Sequence, residues 1–435
     1  KFDPSIGDTF VSILPCWHIF ERTVEYFFFA RGVEVVYSNL RNFKSDLKKY
    51  KPHFLVTVPR LIESIYNGIE ANFSSQSDRK RKLIDLFSKV SLAVLRFRNY
   101  SRGLVIANEK PALIKRIAAD FMAKILYPIH KVADLLVWSK VRENMGGRLK
   151  ILVSGGSSLS LHLDEFFTMI GQRVIIGYGL TETSPVITNR LTEHNLLGSV
   201  GIPAHNTCVK LLDPESKKQV KDGEIGVVHV KGPQVMAGYY NSLDATKEAI
   251  DEDLYFDTGD LGRINPATGD LLITGRAKDT IVLSSGNNVE PEPLENEILC
   301  GIPLIDQVMI VGQDQKFLSA IVVLKPSGLV EEGLIAPSEG NSLAKLLGKS
   351  PLSMGILGEK EEIEKAQKMM ESPVIKEHLM KALKNVLKKR RGFEHILDVI
   401  VSFEPFTIPN GLVTQTLKIK RNEVMKRFGK KIAAL

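Results

Sequence analysis

From Phe10 to Ile176, short apolar runs alternate with longer stretches whose apolar residues recur at helical spacing. The runs "FVSILP", "VEVVYS", "FLVTV", "LKILVSGG" and "RVIIGYG" are short and rich in β-branched residues. They read as buried strands. "PRLIESIYNGIEANF" puts Pro59 in a first helical turn and repeats apolar positions at helical intervals. Strand–helix alternation predicts an α/β fold around a parallel sheet. Between 74 and 147 the pattern is almost wholly helical and predicts an insertion. From about Gly198, Gly, Pro and β-branched residues with turns such as "DP" and "DG" predict a β-rich subdomain. After "ITGRAKD" come three apolar runs and then charged helical stretches.

The predicted organisation is therefore multi-domain. Residues 1–197 form part of a large α/β N-terminal domain with the insertion at 74–147. Residues 198–275 form its β-rich subdomain, "GRAKD" reads as a linker, and 279–435 form a smaller α+β C-terminal domain.

Composition narrows the class without changing this layout. The 435 residues are 44% hydrophobic and 25% charged, an ordinary globular balance. No window holds about 18 uninterrupted apolar residues, the length of a membrane-spanning helix. Cys16, Cys208 and Cys300 are too few and too far apart for a disulfide framework, which leaves a reducing compartment or core thiols. No His/Cys cluster has metal-ligand spacing.

The net charge of +8 is uneven: residues 78–150 hold seventeen Lys and Arg against six Asp and Glu. Such a belt suits an anionic membrane, nucleic acid, an acidic protein partner or simply a solvated helical face. It contains no nucleic-acid recognition module, so nucleic acid is not an expected partner.

Candidate chemistry gathers at strand ends and turns. "LVSGGSSLS" ends a strand in two glycines, which let backbone approach a ligand or merely make a turn. "VIIGYGLTETSP" ends another in an aromatic face, a hydroxyl and a carboxylate. Asp260 in "YFDTGDLG" can accept from a ribose diol or from its own turn. Arg276 in "ITGRAKD" can meet phosphate oxygens or a surface carboxylate. Lys418 in "TLKIKR" is otherwise a solvated lysine in a basic tail.

In order and spacing, "LPCWHIFER", "SGGSSLS", "GYGLTETSP", "YFDTGDLG", "GRAKD" and "TLKIKR" resemble the adenylate-forming superfamily, and together a long-chain fatty acyl ligase. "DTIVLSSGNNVEPEPLENEI" and "IDQVMIVGQDQKFLSAIVV" are similar to the acyl–acyl-carrier-protein synthetases of cyanobacteria and plastids.

The resemblance implies ATP-dependent activation of a long-chain fatty acid through an acyl-adenylate. Transfer to a phosphopantetheine thiol, on acyl carrier protein or coenzyme A, then follows. It implies that Tyr178 stacks on adenine against the backbone of Gly155, Gly156 and Ser157, with Gly179 also in the nucleotide site. Thr181 would reach the α-phosphate and Glu182 the Mg²⁺ that accompanies ATP. Asp260 would take the ribose hydroxyls with help from Arg276, and Lys418 would bridge carboxylate and phosphate oxygens. His18 would gate the acyl pocket, and Lys278 would mark a hinge at 276–278 about which a mobile C-terminal domain turns.

The chain opens at Lys1, after the position where the family's Ser/Thr/Gly-rich phosphate loop is expected. It is therefore read as an N-terminally truncated piece with weak adenosine or AMP binding and little adenylation by itself. The rival reading is an inactive homologue that binds adenylate or lipid. The expected location is a plastid or the cytoplasm, with peripheral membrane contact.

Overall fold

The computed structural model describes residues 3–347 and 357–433. The chain divides into two compact units, Lys1–Ile273 and Thr274–Leu435.

In the first unit the five apolar runs become β1 (Thr9–Ser12), β2 (Glu34–Tyr37), β3 (Phe54–Thr57), β4 (Ile151–Ser154) and β5 (Val174–Gly179). They pair in parallel, and β6 (Val186–Asn189) and β7 (Ile202–Pro203) extend the sheet antiparallel, in the order β2-β1-β3-β4-β5-β6-β7. Every residue of β1 and β3 is buried, as expected of strands covered on both faces. Phe10 and Phe28 stack with ring centroids 4.5 Å apart in a cluster with Val33, Phe54, Val56 and Ile151.

The crossovers are α1 (Ile19–Ala30), α2 (Phe43–Tyr50) and α3 (Pro59–Ser74), the last entered through Pro59. Between β3 and β4 the chain adds α4 (Asp78–Arg102), α5 (Leu113–Ala133), a π turn at Asp134–Trp138 and α6 (Ser139–Asn144). Gly103 ends α4 at φ +76°, the left-handed cap that glycine takes without strain. A further helix, α7 (Leu161–Met169), precedes β5. Its Asp164 meets Arg190 in a buried two-bond pair at 3.0 and 2.7 Å.

The Gly- and Pro-rich stretch folds into β8 (Cys208–Leu212), β9 (Gly226–Lys231), β10 (Phe256–Ile264) and β11 (Leu271–Arg276), in the order β11-β10-β9-β8. One short helix, α8 (Leu243–Ala249), precedes β10.

The second unit begins with the β12 (Ile281–Val282) and β13 (Asn288–Val289) pair and α9 (Pro291–Gly301). Its main sheet is β14 (Ile305–Val311), β15 (Leu318–Leu324) and β16 (Ile396–Ser402), antiparallel then parallel. Side chains of β15 alternate faces. Leu318, Ala320 and Val322 join the cluster built with α9 and with α10 (Pro326–Glu331), α11 (Pro337–Leu347), α12 (Leu357–Met370) and α13 (Pro373–Val386). Ile321 and Val323 join the opposite cluster, beneath α14 (Arg421–Ile432). Both faces of β15 are covered, so all seven of its residues are buried.

All three cysteines are exposed, which rules out the core-thiol explanation for them. Among the described residues, no helix is long and apolar enough to cross a membrane.

Candidate active site

Neighbouring parallel strands build the first wall. Ser154 of β4 pairs with Ile176 of β5, so the loop after β4 comes level with Gly177 and Tyr178. The Gly155 amide donates to the Thr57 carbonyl at 3.2 Å. A Cβ on Gly155 would stand 2.9 Å from Phe20 Cζ and 3.4 Å from the Gly177 carbonyl. Gly156 has φ +82°. Ser157 follows, exposed. The glycines thus let a bare backbone edge lie beside the end of β5.

The end of β5 carries the rest. Tyr178 pairs opposite Thr188, with a bulge before the Gly179–Val186 pair. A Cβ on Gly179 would run into the Pro185 carbonyl, so only glycine permits this tight return. Thr181–Thr183 then forms one 3₁₀ turn. Buried Thr183 locks it, accepting from the Leu180 amide at 2.9 Å and donating to the Pro185 carbonyl at 2.7 Å. Thr181 is left exposed and Glu182 half-buried on an ordered turn.

The Tyr178 hydroxyl donates to Asp260 Oδ2 at 2.8 Å, joining residues 82 positions apart. Asp260 is buried on β10, and its amide donates to Thr258 Oγ1 at 3.1 Å. Glu182 receives the Tyr239 hydroxyl on Oε1 at 2.9 Å, while its carbonyl accepts from the Met236 amide at 2.8 Å. Burial and the neighbouring Glu182 carboxylate push the Tyr239 hydroxyl above the usual phenol pKa. Tyr239 and Met236 were missed in the sequence. Their "VMAGYY" lies in a turn-rich stretch with no periodicity to single them out.

His18 caps α1, its Nδ1 accepting from the Phe20 amide at 3.3 Å. That acceptor role puts the ring proton of a neutral His18 on Nε2. Three residues on, Glu21 is fully buried and neither carboxyl oxygen has a hydrogen-bond partner. Burial pushes its pKa up to about 7; nearby Ser12 and the Ile13 and Leu14 amides oppose this, and the Glu25 carboxylate adds to it. The Ser12 hydroxyl itself is directed to Glu25 Oε1 at 3.0 Å.

The other sequence-predicted residues belong to the second unit. The Arg276 carbonyl accepts from the Asp279 and Thr280 amides, at 3.0 and 3.1 Å, in a turn that exposes Lys278. Lys418 is exposed on a tight loop. Its carbonyl accepts from the Thr414 amide at 2.8 Å and its amide donates to Thr414 Oγ1 at 3.0 Å. Three residues later Arg421 inserts between Glu295 Oε1, at 2.8 Å, and the Ile310 carbonyl, at 2.7 Å.

No group of three or more His, Cys, Asp or Glu able to hold a metal occurs among the described residues. Glu182 does offer a carboxylate with one oxygen engaged by Tyr239. That donor set suits Mg²⁺, which favours one or two carboxylates beside phosphate oxygens and water.

In unit one, the arrangement provides a backbone edge, an aromatic face tied to a buried carboxylate, and a second carboxylate on a rigid turn. Comparison with known proteins matches its setting. Residues 1–240 match the model of the AMP-binding enzymes, and residues 278–335 that of the AMP-binding enzyme C-terminal domain. The chain is 39% identical to the probable acyl-activating enzyme 16, chloroplastic, of Arabidopsis thaliana, over 99% of itself and 58% of that protein. It is 36% identical to the chloroplastic long-chain-fatty-acid–[acyl-carrier-protein] ligase AEE15 of the same plant, over 100% of itself and 57% of the relative. It thus spans a little over half the length of these relatives.

Among solved structures, the A domain of a carboxylic acid reductase from Segniliparus rugosus, in complex with AMP and a co-purified carboxylic acid, aligns with a TM-score of 0.64. That alignment has 22% identity and covers 99% of this chain and 55% of the other, and it shows a shared α/β fold. With more than half of its length matched by the family model, the chain belongs to the AMP-binding enzymes.

Proposed function

We propose that this chain is part of an enzyme that activates a long-chain fatty acid with ATP and passes the acyl group to a phosphopantetheine thiol. In the first step a carboxylate oxygen bonds to the α-phosphorus and pyrophosphate leaves. In the second the thiol, having lost its proton, bonds to the acyl carbon and AMP leaves. The observation that carries this reading is the Tyr178–Asp260 contact beside the Gly155–Gly156 edge, which suits a flat base with a diol attached. The relatives' names support the acyl substrate, one of them with acyl carrier protein as acceptor and chloroplast as compartment. Coenzyme A is the other acceptor with the same thiol. Peripheral contact with an anionic membrane belongs to this reading, since the acyl substrate partitions into lipid.

Tyr178 supplies the base-stacking face, the backbone at Gly155, Gly156 and Ser157 the opposing edge, and Gly179 the tight turn beside the ring. Asp260, with Arg276, takes the ribose hydroxyls, Thr181 reaches the α-phosphate, and Glu182 holds Mg²⁺. That ion neutralises phosphate charge when bound. Lys418 stabilises charge that develops between carboxylate and α-phosphate. His18 borders the acyl entry, and the turn at Arg276–Lys278 is the hinge.

The test uses the full-length protein with a long-chain fatty acid, ATP and Mg²⁺. Pyrophosphate should appear only when the acid is present. Lys418→Ala should lower that rate about 10²–10³-fold, yet spare thioester formation from supplied acyl-adenylate. No acid-dependent pyrophosphate from the full-length protein would favour a binding protein without turnover. Equal loss in both half-reactions would remove Lys418 from its role.

A further inference from the structure

The α5 helix is packed inside out. Its buried residues are Ala119, Ala123 and Ala133, whereas Ile114, Ile117, Phe121 and Ile125 each keep more than half their surface in solvent. Ile129 and Val132 continue the line at three- and four-residue steps. These six share one side of the helix over about 27 Å. In a helix that only covers a core, the large apolar residues face inward.

Polar contacts on the alanine side set this rotation. Ser91 of α4 meets both Trp138 Nε1 and His130 Nδ1 at 3.0 Å. Arg116 Nε donates to the Ser101 carbonyl at 2.8 Å, and the Arg98 guanidinium lies 4.4 Å from the Tyr127 ring centre. Turning α5 to bury its isoleucines would break the three of these contacts that α5 makes, through His130, Arg116 and Tyr127.

We infer that the outward face of α5 lies in the headgroup region of an anionic lipid bilayer. Helical spacing puts Lys115 along one border of the stripe, and Lys124 and Lys131 along the other. Long cationic side chains there can reach lipid phosphates while the apolar centre enters the acyl boundary. The sole acidic residue of α5, Asp120, is paired with Lys124 at 2.7 Å. The surrounding segment, 78–150, carries the excess of positive charge, which is complementary to anionic lipid. The inference names the element behind the peripheral contact proposed above, but it does not depend on acyl turnover.

The test is co-sedimentation of the full-length protein with vesicles of equal parts phosphatidylglycerol and phosphatidylcholine. The variant combines Ile117→Ser, Phe121→Ser and Ile125→Ser. Because all three side chains are largely in solvent, its melting temperature should match the parent's. Its vesicle partitioning should fall at least about a hundredfold, because three large apolar side chains no longer enter the acyl boundary. Lys115→Glu with Lys131→Glu should weaken binding to these vesicles and lessen its salt sensitivity. Separately, Phe121→Trp should shift its emission to the blue when vesicles are added.

Parent-like sedimentation of the serine variant would overturn the inference. So would a Phe121→Trp emission already blue without vesicles, which would mean that protein covers the face. A serine variant that turned a dimer into a monomer, with lipid binding unchanged, would instead assign the face to a second copy.

Discussion

Tyr178 and Glu21 show how far residue type alone reaches. An aromatic between glycines at a strand end, followed at once by Thr and Glu, stands out as a set, although Tyr178 also packs against the clusters around Ile187 and Leu211. The sequence therefore exposes Tyr178, Thr181 and Glu182, but not the Tyr178–Asp260 bond, which depends on pairing across 82 positions. Glu21 was invisible for the opposite reason. A glutamate in a first helical turn reads as a solvated side chain favoured by the helix dipole. Only the packing of α1 shows it to be desolvated. Its folded pKa of about 7 lies above the ordinary 4.5. The unfolded chain therefore gives up this proton at lower pH than the native one. Glu21 costs nothing below about pH 4.5 and its penalty grows until about pH 7, reaching about 3 kcal/mol. Glu21→Gln should then raise the melting temperature at about pH 8 and change it little at about pH 5. A parallel shift at both would show that Glu21 is not the titrating group.

At the scale of elements, period and composition located most strands but not their partners. The run "LSAIVVL" reads as a strand from its β-branched residues, but nothing in it says what covers its two faces. In the structure α9–α13 cover one face and α14 the other. The inverted packing of α5 was equally hidden, since periodicity shows that a stripe exists but not which side is covered. The Lys418 loop owes its position to a contact no local pattern contains, the Arg421–Glu295 pair across 126 positions. Arg421→Met leaves the half-buried Glu295 carboxylate with only the Ile310 amide as partner and should destabilise the second unit by up to about 3 kcal/mol. Arg421→Met with Glu295→Met removes both charges and should recover much of that loss. Urea unfolding of the parent, of Arg421→Met, of Glu295→Met and of the double variant measures the coupling. A double variant as unstable as the sum of the single ones would show that the pair does not anchor the loop.

For the whole molecule, the shift from α/β to β-rich to α+β character was legible because turn-forming residues and periodicity both change near Gly198. A hinge at 276–278 was expected only from the resemblance, because hinge residues need no distinctive chemistry. Lys278 stands in the turn closed by the Asp279 and Thr280 amides on the Arg276 carbonyl. If the second unit must reorient between the two half-reactions, backbone angles in this turn have to change. Lys278→Pro fixes φ at that position while leaving both closing amides in place. Thioester formation from supplied acyl-adenylate should then fall far more, by about a hundredfold, than fatty-acid-dependent pyrophosphate release. Ala277→Pro is the control. It sits at the second residue of the turn that the Asp279 amide closes on Arg276, where proline is readily accepted, and should leave both half-reactions within about threefold of the parent. Equal losses in the two half-reactions of Lys278→Pro, with Ala277→Pro unaffected, would mean that the turn matters for stability and that the pivot lies elsewhere.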